Sequence, residues 1–501
     1  MIKQRQKRKK KLRIGATIMR NDTKAKLIVI LLIVGDILVF FIGSAFSQYL
    51  MAGSSGINTD NWHNIIIPLF FIMFFFFMYD LYTAQTDEVF NSAIAVFLSI
   101  IMATVSSVII IYLFRLETVS VIIWLLRFAI LELFMVSWRT FAASMIKRFG
   151  ETRSCLIIEN MHNTSRLARK LKYSSNYGRE ATYYMIDENN NEEIDVIIND
   201  KIKDYDQIFI SPAISKQVTQ RIMNKATLLH KQISVLADLD SVTTMHGRIY
   251  QLDDTPVIEK KILHMTRMQR FIKRSFDIVF SLVLCMLTLP IIACCAIAIH
   301  FDSEGPVIYK QERYTKNKKV FNVYKFRTMF IDAEKNGAQL ATEDDPRITK
   351  VGKFLRATRL DELPQLYNIL FGQMSVVGPR PERPVFADYF SENVNNYDTR
   401  YFVKAGLTGY AQVYGKYNTR VSDKILMDMI YIINYSFLLD IKIILLTAKT
   451  MFIKSATEGL DEERDSILSS AENEEKRRME TVKKLGIKGE KNENIHNNSG
   501  V

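Results

Sequence analysis

Cysteine is scarce: four residues in 501 (Cys155, Cys285, Cys294 and Cys295), with no CxxC and no paired framework. That excludes a disulfide-stapled scaffold and points to reduced thiols. Three of the four lie in one apolar stretch, where cysteine serves as a small hydrophobe. The seven histidines are scattered without metal-ligand spacing, which argues against zinc. No finger spacing, helix-turn-helix signal or basic–aromatic RNA motif accompanies the net charge of +13, so nucleic acid is not an expected partner. A secretory signal would have a shorter apolar core than the first run and no further spans after it, so that run reads as a retained anchor. A glycine-rich phosphate loop is missing as well, because the first strand-like run continues into Glu159-Asn160-Met161-His162. Dinucleotide binding has no support there.

What the chain has in excess is apolar residues, crowded into 27–142 and 278–299. Such concentration places it among membrane proteins. A basic tail, 1–26, precedes a bundle at 27–148 with four spans expected at 27–49, 64–82, 91–114 and 119–141. Basic residues before the first span and after the fourth (Arg139, Lys147, Arg148, Arg153) put both ends of the bundle on the cytoplasmic side. Asp36, Arg127 and Glu132 inside the spans are read as interhelical pairs or snorkelling groups in preference to a transport path. Residues 149–250 change character: SCLII, ATYYMI, QIFI and ISVLA alternate with helix-like stretches, predicting a small α/β domain with a parallel, Rossmann-like sheet. A third domain is expected at 251–456, and a charged, partly disordered tail at 457–501.

Within the third domain, 278–299 holds 22 residues without a charge. Two features argue against a simple crossing helix. Pro290 stands mid-segment, where it removes a backbone hydrogen bond and bends a helix. Both flanks are also basic: Arg267, Arg270, Lys273 and Arg274 before, Lys310, Arg313, Lys316, Lys318 and Lys319 after. A crossing would carry one cluster to the outer face, against the charge bias. The expectation is a re-entrant helix over 277–300, broken at Pro290.

The densest chemistry follows at 325–381, where KFRTM, DDPRITKVGKFLRATRLDELPQL and MSVVGPRP interleave eight cations with the acid pair Asp361-Glu362. Arginine and lysine in that density suit phosphate oxygens. Phe354, Leu355, Leu360, Leu363, Leu366, Tyr367 and Leu370 have helical spacing, so the acid pair is expected on one amphipathic helix, with its two side chains about 100° apart. Arg380 lies in the stiff turn Gly378-Pro379-Arg380-Pro381. Asp344-Asp345 is a second acid pair, which would suit a metal-dependent glycosyltransferase releasing UDP. Asp345 directly precedes Pro346, which favours a structural turn. A scaffold without catalysis is the remaining alternative.

From Lys273 to about Lys454 the chain resembles the bacterial sugar transferases, the monotopic polyprenyl-phosphate glycosyl-1-phosphate transferases. The resemblance rests on KRSFD (273–277), GPVIYKQER (305–313), KFRTM (325–329), DPRITKVGKFLR (345–356), LDELPQL (360–366), MSVVGPRPE (374–382), KAGLTGYAQVYGKYNT (404–419) and YIINYSFLLDIKIIL (431–445). The preceding spans and α/β domain resemble the family's long form, of the exopolysaccharide or capsule priming type. It implies a mostly α-helical catalytic domain on the cytoplasmic face of the bacterial inner membrane. It also implies transfer of a hexose-1-phosphate from a UDP-sugar to undecaprenyl phosphate with release of UMP. In that reading Asp361 is the nucleophile, Glu362 binds Mg²⁺, and Lys325, Arg356, Arg380 and Asp440 make up the phosphate-binding set. Homodimerisation is a further implication. Two departures stand out: Leu289 replaces the serine common before the family's re-entrant proline, and Tyr410 stands where tryptophan is common.

Overall fold

The computed structural model describes residues 27–50, 62–82, 89–116, 121–149, 154–160, 181–188, 190–211, 213–235, 237, 239–245, 247–252, 255–260, 265–334, 345–415 and 419–451. The basic tail, the charged tail, Asp344 and the segment 416–418 lie outside them. The chain forms two compact units that divide between Ser241 and Val242.

The first unit opens with four helices: α1 (Leu27–Leu50), α2 (His63–Met78), α3 (Val89–Leu113) and α4 (Val121–Phe149). Three of them are long and apolar enough to cross a membrane. The expected span 64–82 is not; α2 has 16 residues, about 24 Å against a hydrocarbon core of about 30 Å. Asp80 adopts φ 59° and the Leu81 N–H donates to Phe76 O, a left-handed cap that ends the helix early.

Charged residues inside these helices are paired between helices, while Ser47, Ser99 and Ser107 bond to carbonyls of their own helix. Arg139 forms a buried ion pair with Asp36, whose Oδ1 also accepts from Trp138 Nε1 at 3.0 Å. Arg127 donates to Asn64 O at 2.5 Å and Ser44 Oγ at 3.1 Å. Interhelical pairing thus accounts for Asp36 and Arg127. Glu132 Oε2 is the exception, buried without a hydrogen-bond partner among the described residues. Arg139 is corrected from a flanking charge to a buried one, because Asp36 offsets the cost of keeping it from water.

The α/β part holds a parallel sheet in the order β2 (Ala181–Ile186), β1 (Cys155–Asn160), β3 (Gln207–Ile210), β4 (Gln232–Val235). The strand β1 is central and buried, hence its unbroken apolar run Cys155 to Ile158. Helix α5 (Lys216–Leu228) packs Val218, Ile222 and Ala226 into the core with Leu156, Ile208 and Ile210. Past β1, Asn160 Nδ2 donates to Glu188 Oε1 at 2.8 Å, and Ser215 N–H at the head of α5 donates to the same oxygen at 3.0 Å. A carboxylate of the chain itself therefore fills the anion position at that helix end.

The second unit begins with an antiparallel hairpin, β5 (Arg248–Leu252) and β6 (Thr255–Glu259), which spans the boundary expected at 250. Helix α6 (Arg267–Asp302) follows, opened by a capping box between Thr266 and Gln269 and helical through Pro290. Both its ends are tied to the same body. Near the start, Lys273 pairs with Asp440 at 2.8 Å and Arg274 donates to Ile369 O and Leu370 O. Asp277 accepts from Ser375 Oγ and Val376 N–H, each at 2.9 Å. Near the end, Arg327 donates to Ser303 O and Glu304 O, and Asp302 accepts from Val351 N–H. Between these anchors Val279, Val283, Met286, Leu287 and Leu289 are at least half exposed.

The body consists of hairpin β7 (Ile308–Tyr314) and β8 (Val320–Phe326), helices α7 (Lys350–Thr358) and α8 (Gln365–Leu370), and a parallel pair, β9 (Ser375–Val377) and β10 (Gly406–Thr408). Helices α9 (Pro384–Asn393), α10 (Val421–Ile433) and α11 (Phe437–Met451) complete it. The unit is mostly helical, as expected.

Candidate active site

The acid pair does not lie on one amphipathic helix. Helix α7 stops at Arg359, which takes the left-handed conformation (φ 59°), and Leu360–Glu362 form a single 3₁₀ turn before Pro364 starts α8. The apolar spacing was genuine, since Leu355 and Leu366 are buried, but Phe354 faces outward with 61% exposure. A non-glycine residue at positive φ is held only where its surroundings demand it. Here Leu360 and Leu363 demand it, packing against the cluster of Cys295, Ile299, Phe326 and Leu355. The acids are thereby seated on the closing part of α6.

Two cations from separate elements meet Glu362. Lys325 Nζ on β8 donates to Glu362 Oε1 at 2.9 Å, and Arg380 approaches the same oxygen at 3.5 Å. The turn that bears Arg380 is rigid because three of its four carbonyls have a donor. Gly406 N–H bonds Pro379 O at 2.9 Å, Arg400 bonds Arg380 O at 3.0 Å, and Arg313 bonds Pro381 O at 3.1 Å. Gly378 is required there, since a Cβ would collide with the backbone of Lys404 and Gly406. Arg400 is itself buried against Asp428 at 3.2 Å and Tyr397. Sequence reasoning missed Arg400, because nothing in its spacing links it to a turn twenty residues away.

The neighbouring acids are driven apart. Burial would raise Glu362, but Lys325 and Arg380 outweigh it and hold this carboxyl at about 2. Asp361 moves up, through burial and the adjacent Glu362 charge, against the pull of Lys325, Arg356 and Arg359. Burial pushes the Lys325 ammonium down, and Glu362 opposes that. Arg356 donates from Nε to Thr328 Oγ1 at 2.9 Å and couples electrostatically to Asp361.

Of the expected set, the structure gathers Asp361, Glu362, Lys325, Arg356 and Arg380. Asp440 is placed elsewhere. It is 1% exposed, with Oδ2 on Lys273 and Oδ1 on Tyr431 Oη at 2.8 Å, so it ties α6 to α10 and α11. Asp345 is also committed: Arg347 holds both its oxygens, at 2.8 and 2.5 Å, and keeps its carboxyl at about 2. Arg327 serves the end of α6 and not the acid pair.

Divalent cations of the magnesium type bind through one or two carboxylates together with substrate phosphates. The two acids offer that donor set, since Glu362 Oε2 has no hydrogen-bond partner among the described residues. No group of three or more His, Cys, Asp or Glu side chains forms a metal cage among them.

Comparison with known proteins matches residues 268–454 to the family described as bacterial sugar transferase. The UDP-glucose:undecaprenyl-phosphate glucose-1-phosphate transferase of Escherichia coli K12 is 36% identical over 229 residues, covering 45% of this chain and 49% of that protein. The exopolysaccharide production protein PSS of Rhizobium leguminosarum bv. phaseoli is 39% identical, covering 35% of this chain and 93% of that protein. The galactosyl transferase CpsE of Streptococcus agalactiae serotype III is 31% identical over 340 residues, covering 61% and 73%. The chain spans about half the length of the Escherichia coli relative and of the next two in similarity (49%, 55% and 55%).

Proposed function

Because this chain belongs to the bacterial sugar transferase family, we propose that it transfers a hexose-1-phosphate from a UDP-sugar to undecaprenyl phosphate, releasing UMP. The observation that carries this reading is the Asp361-Glu362 turn held against Lys325 and Arg380 on the closing part of α6. A carboxylate Oδ of Asp361 attacks the β-phosphorus of the UDP-sugar. The bond from that phosphorus to the bridging oxygen breaks, and UMP leaves with the oxygen and its electron pair. The phosphosugar then rests on Asp361 as an acyl phosphate. A phosphate oxygen of undecaprenyl phosphate attacks the same phosphorus, and Asp361 departs as the carboxylate it began as.

The raised affinity of Asp361 for a proton marks it as the more basic acid, which suits a nucleophile. Glu362 stays charged throughout. Lys325, Arg356 and Arg380 bind phosphate oxygens by charge-assisted contacts. Glu362 and Asp361 would hold Mg²⁺, which when bound offsets the negative charge gathered at the transferring phosphoryl group. The glycosyltransferase alternative has less support, because the Asp345 carboxylate is spent on Arg347.

The re-entrant course of α6 belongs to the same proposal. A straight helix of 36 residues spans about 54 Å. Yet its two ends anchor to α8, β9, β8 and α7 of one small body. Pro290 removes a helix hydrogen bond, and nearby Thr288 Oγ1 bonds back to Leu284 O at 2.7 Å, a contact that also bends helices. An apolar bend between two anchored ends would dip into one leaflet and leave the acid pair at the headgroup level.

The test is product analysis without acceptor lipid. Wild-type protein should release one UMP per active site and carry the label of a ³²P-β-labelled UDP-sugar. Asp361→Asn should show neither the UMP burst nor the label, and with acceptor lipid added should lose turnover on the order of a thousandfold or more. UDP as product, or full turnover by that variant, would sink the reading.

A further inference from the structure

The second unit contains a cavity of about 360 Å³ that the acid pair does not line. It opens between the loop joining β7 to β8 and the end of α8, and its cations are Lys316, Lys319 and Lys404. Along β8, Lys319 is six residues from Lys325, about 20 Å, so this is a separate place from the catalytic cluster.

Three observations mark it as a binding site. First, it has cations and no acid in its wall. None of the three lysines forms a salt bridge among the described residues. The acid nearest in effect to Lys404 is Asp277, whose Oδ1 already accepts from Ser375 and Val376. Second, the cations crowd one another. Gly372, at φ +80°, lets Lys404 and the neighbouring Arg274, which does not line the cavity, close over its backbone: a Cβ there would stand 3.2 Å from an Arg274 guanidinium nitrogen and 3.5 Å from Lys404 Nζ. Burial and the charges of Arg274, Lys316 and Lys273 together push the Lys404 ammonium down. Third, the loop is built at a cost. Asn317 and Lys318 both hold positive φ, at 57° and 54°, a conformation that disfavours side-chain-bearing residues. What holds it is Lys318, pinned outward on Asp398 and Ser391, each at 3.0 Å, while Thr315 Oγ1 bonds Gln373 O at 2.8 Å. That anchoring leaves Lys316 and Lys319 lining the cavity.

We propose that this cavity binds a phosphate group, separate from those handled at Asp361 and Glu362. Ammonium groups act as point charges for phosphate oxygens, and bound phosphate would relieve the repulsion among them. The phosphate comes either from an anionic lipid headgroup or from a soluble phosphorylated molecule.

The experiment is amine modification of the full-length protein, read residue by residue by mass spectrometry, with exposed Lys310 as the internal reference. One arm adds inorganic pyrophosphate to protein in neutral detergent. The other compares nanodiscs of phosphatidylglycerol with nanodiscs of phosphatidylcholine. At about ten times its dissociation constant an occupant slows Lys404 modification about tenfold relative to Lys310. Protection by pyrophosphate assigns the soluble source, and protection by phosphatidylglycerol assigns the headgroup. The double variant Lys316→Gln with Lys319→Gln should lose the protection. Equal rates in every condition would overturn the proposal, and so would protection that survives the double variant. Since the readout needs no turnover, it stands or falls apart from the catalytic reading.

Discussion

Asp361 and Glu362 are chain neighbours with the same functional group, yet their surroundings give them opposite acidities. Glu362 meets two cations directly and is held at about 2; Asp361 has its cations at longer range and a negative neighbour, and moves up. Divergent acids in one cleft mark a division of labour. The Arg356 charge is one of those that hold Asp361 down. Arg356→Gln should therefore raise Asp361 further. In the proposed reaction Asp361 must be ionised to attack, so the acid limb of the kcat/KM profile for UMP release should move to higher pH. A limb that stays put or moves to lower pH would contradict the coupling. Lys325→Met removes a charge in direct contact and should cost about 10²- to 10³-fold in kcat, the scale for one preorganised electrostatic group. Asp440 was expected in this cluster; its neighbours Lys273 and Tyr431 lie 167 and nine residues away in sequence, separations from which no pairing can be read.

At the level of elements, one interruption sets the geometry of the acids and a second belongs to the proposal. The left-handed Arg359 divides what periodicity alone presents as one helix, and turns the acids toward Lys325 and Arg380. A continuous helix would keep the apolar stripe but swing Leu360 and Leu363 off the Cys295–Ile299 cluster. The second interruption is the Thr288–Pro290 region of α6. Spin labels at Arg270 and Phe301 should report a distance well below the about 46 Å of a straight helix. Restoring the missing hydrogen bond with Pro290→Ala, together with Thr288→Val, should lengthen it. A wild-type distance at the straight value would rule out the bend. Local periodicity cannot show the first interruption, because it depends on what Leu360 and Leu363 pack against, whereas the proline of the second is visible in the sequence.

For the whole molecule the decisive matter is which side of the membrane each flank of α6 occupies. Labelling of Arg267→Cys and Lys319→Cys in a cysteine-free background should give the same sidedness, with an impermeant maleimide reaching both only from the cytoplasmic face. Opposite sidedness would mean a crossing helix and would remove the acid pair from the proposed site. The membrane bundle was legible in outline. Its apolar runs return as α1, α3 and α4, because only a helix satisfies its own backbone in lipid. The short α2 and the Asp36–Arg139 pair were not legible, since one rests on a helix cap and the other on packing between helices.

The amino-acid sequence by itself determined three of the four expected membrane segments, the parallel α/β part, the polar block around the acid pair and the family. Each is carried by composition, by short-range periodicity or by ordered motifs, which need no third dimension to be recognised. Tertiary structure showed how Lys325, Arg356 and Arg380, grouped with the acid pair by the resemblance, come to it, and alone decided that Asp440 is spent on Lys273 and Tyr431. It also decided that Arg400 stiffens the Arg380 turn and that three lysines line a cavity apart from the acid pair. Charge pairing falls off within a few ångströms, and sequence separation says nothing of ångströms once the chain has folded back on itself.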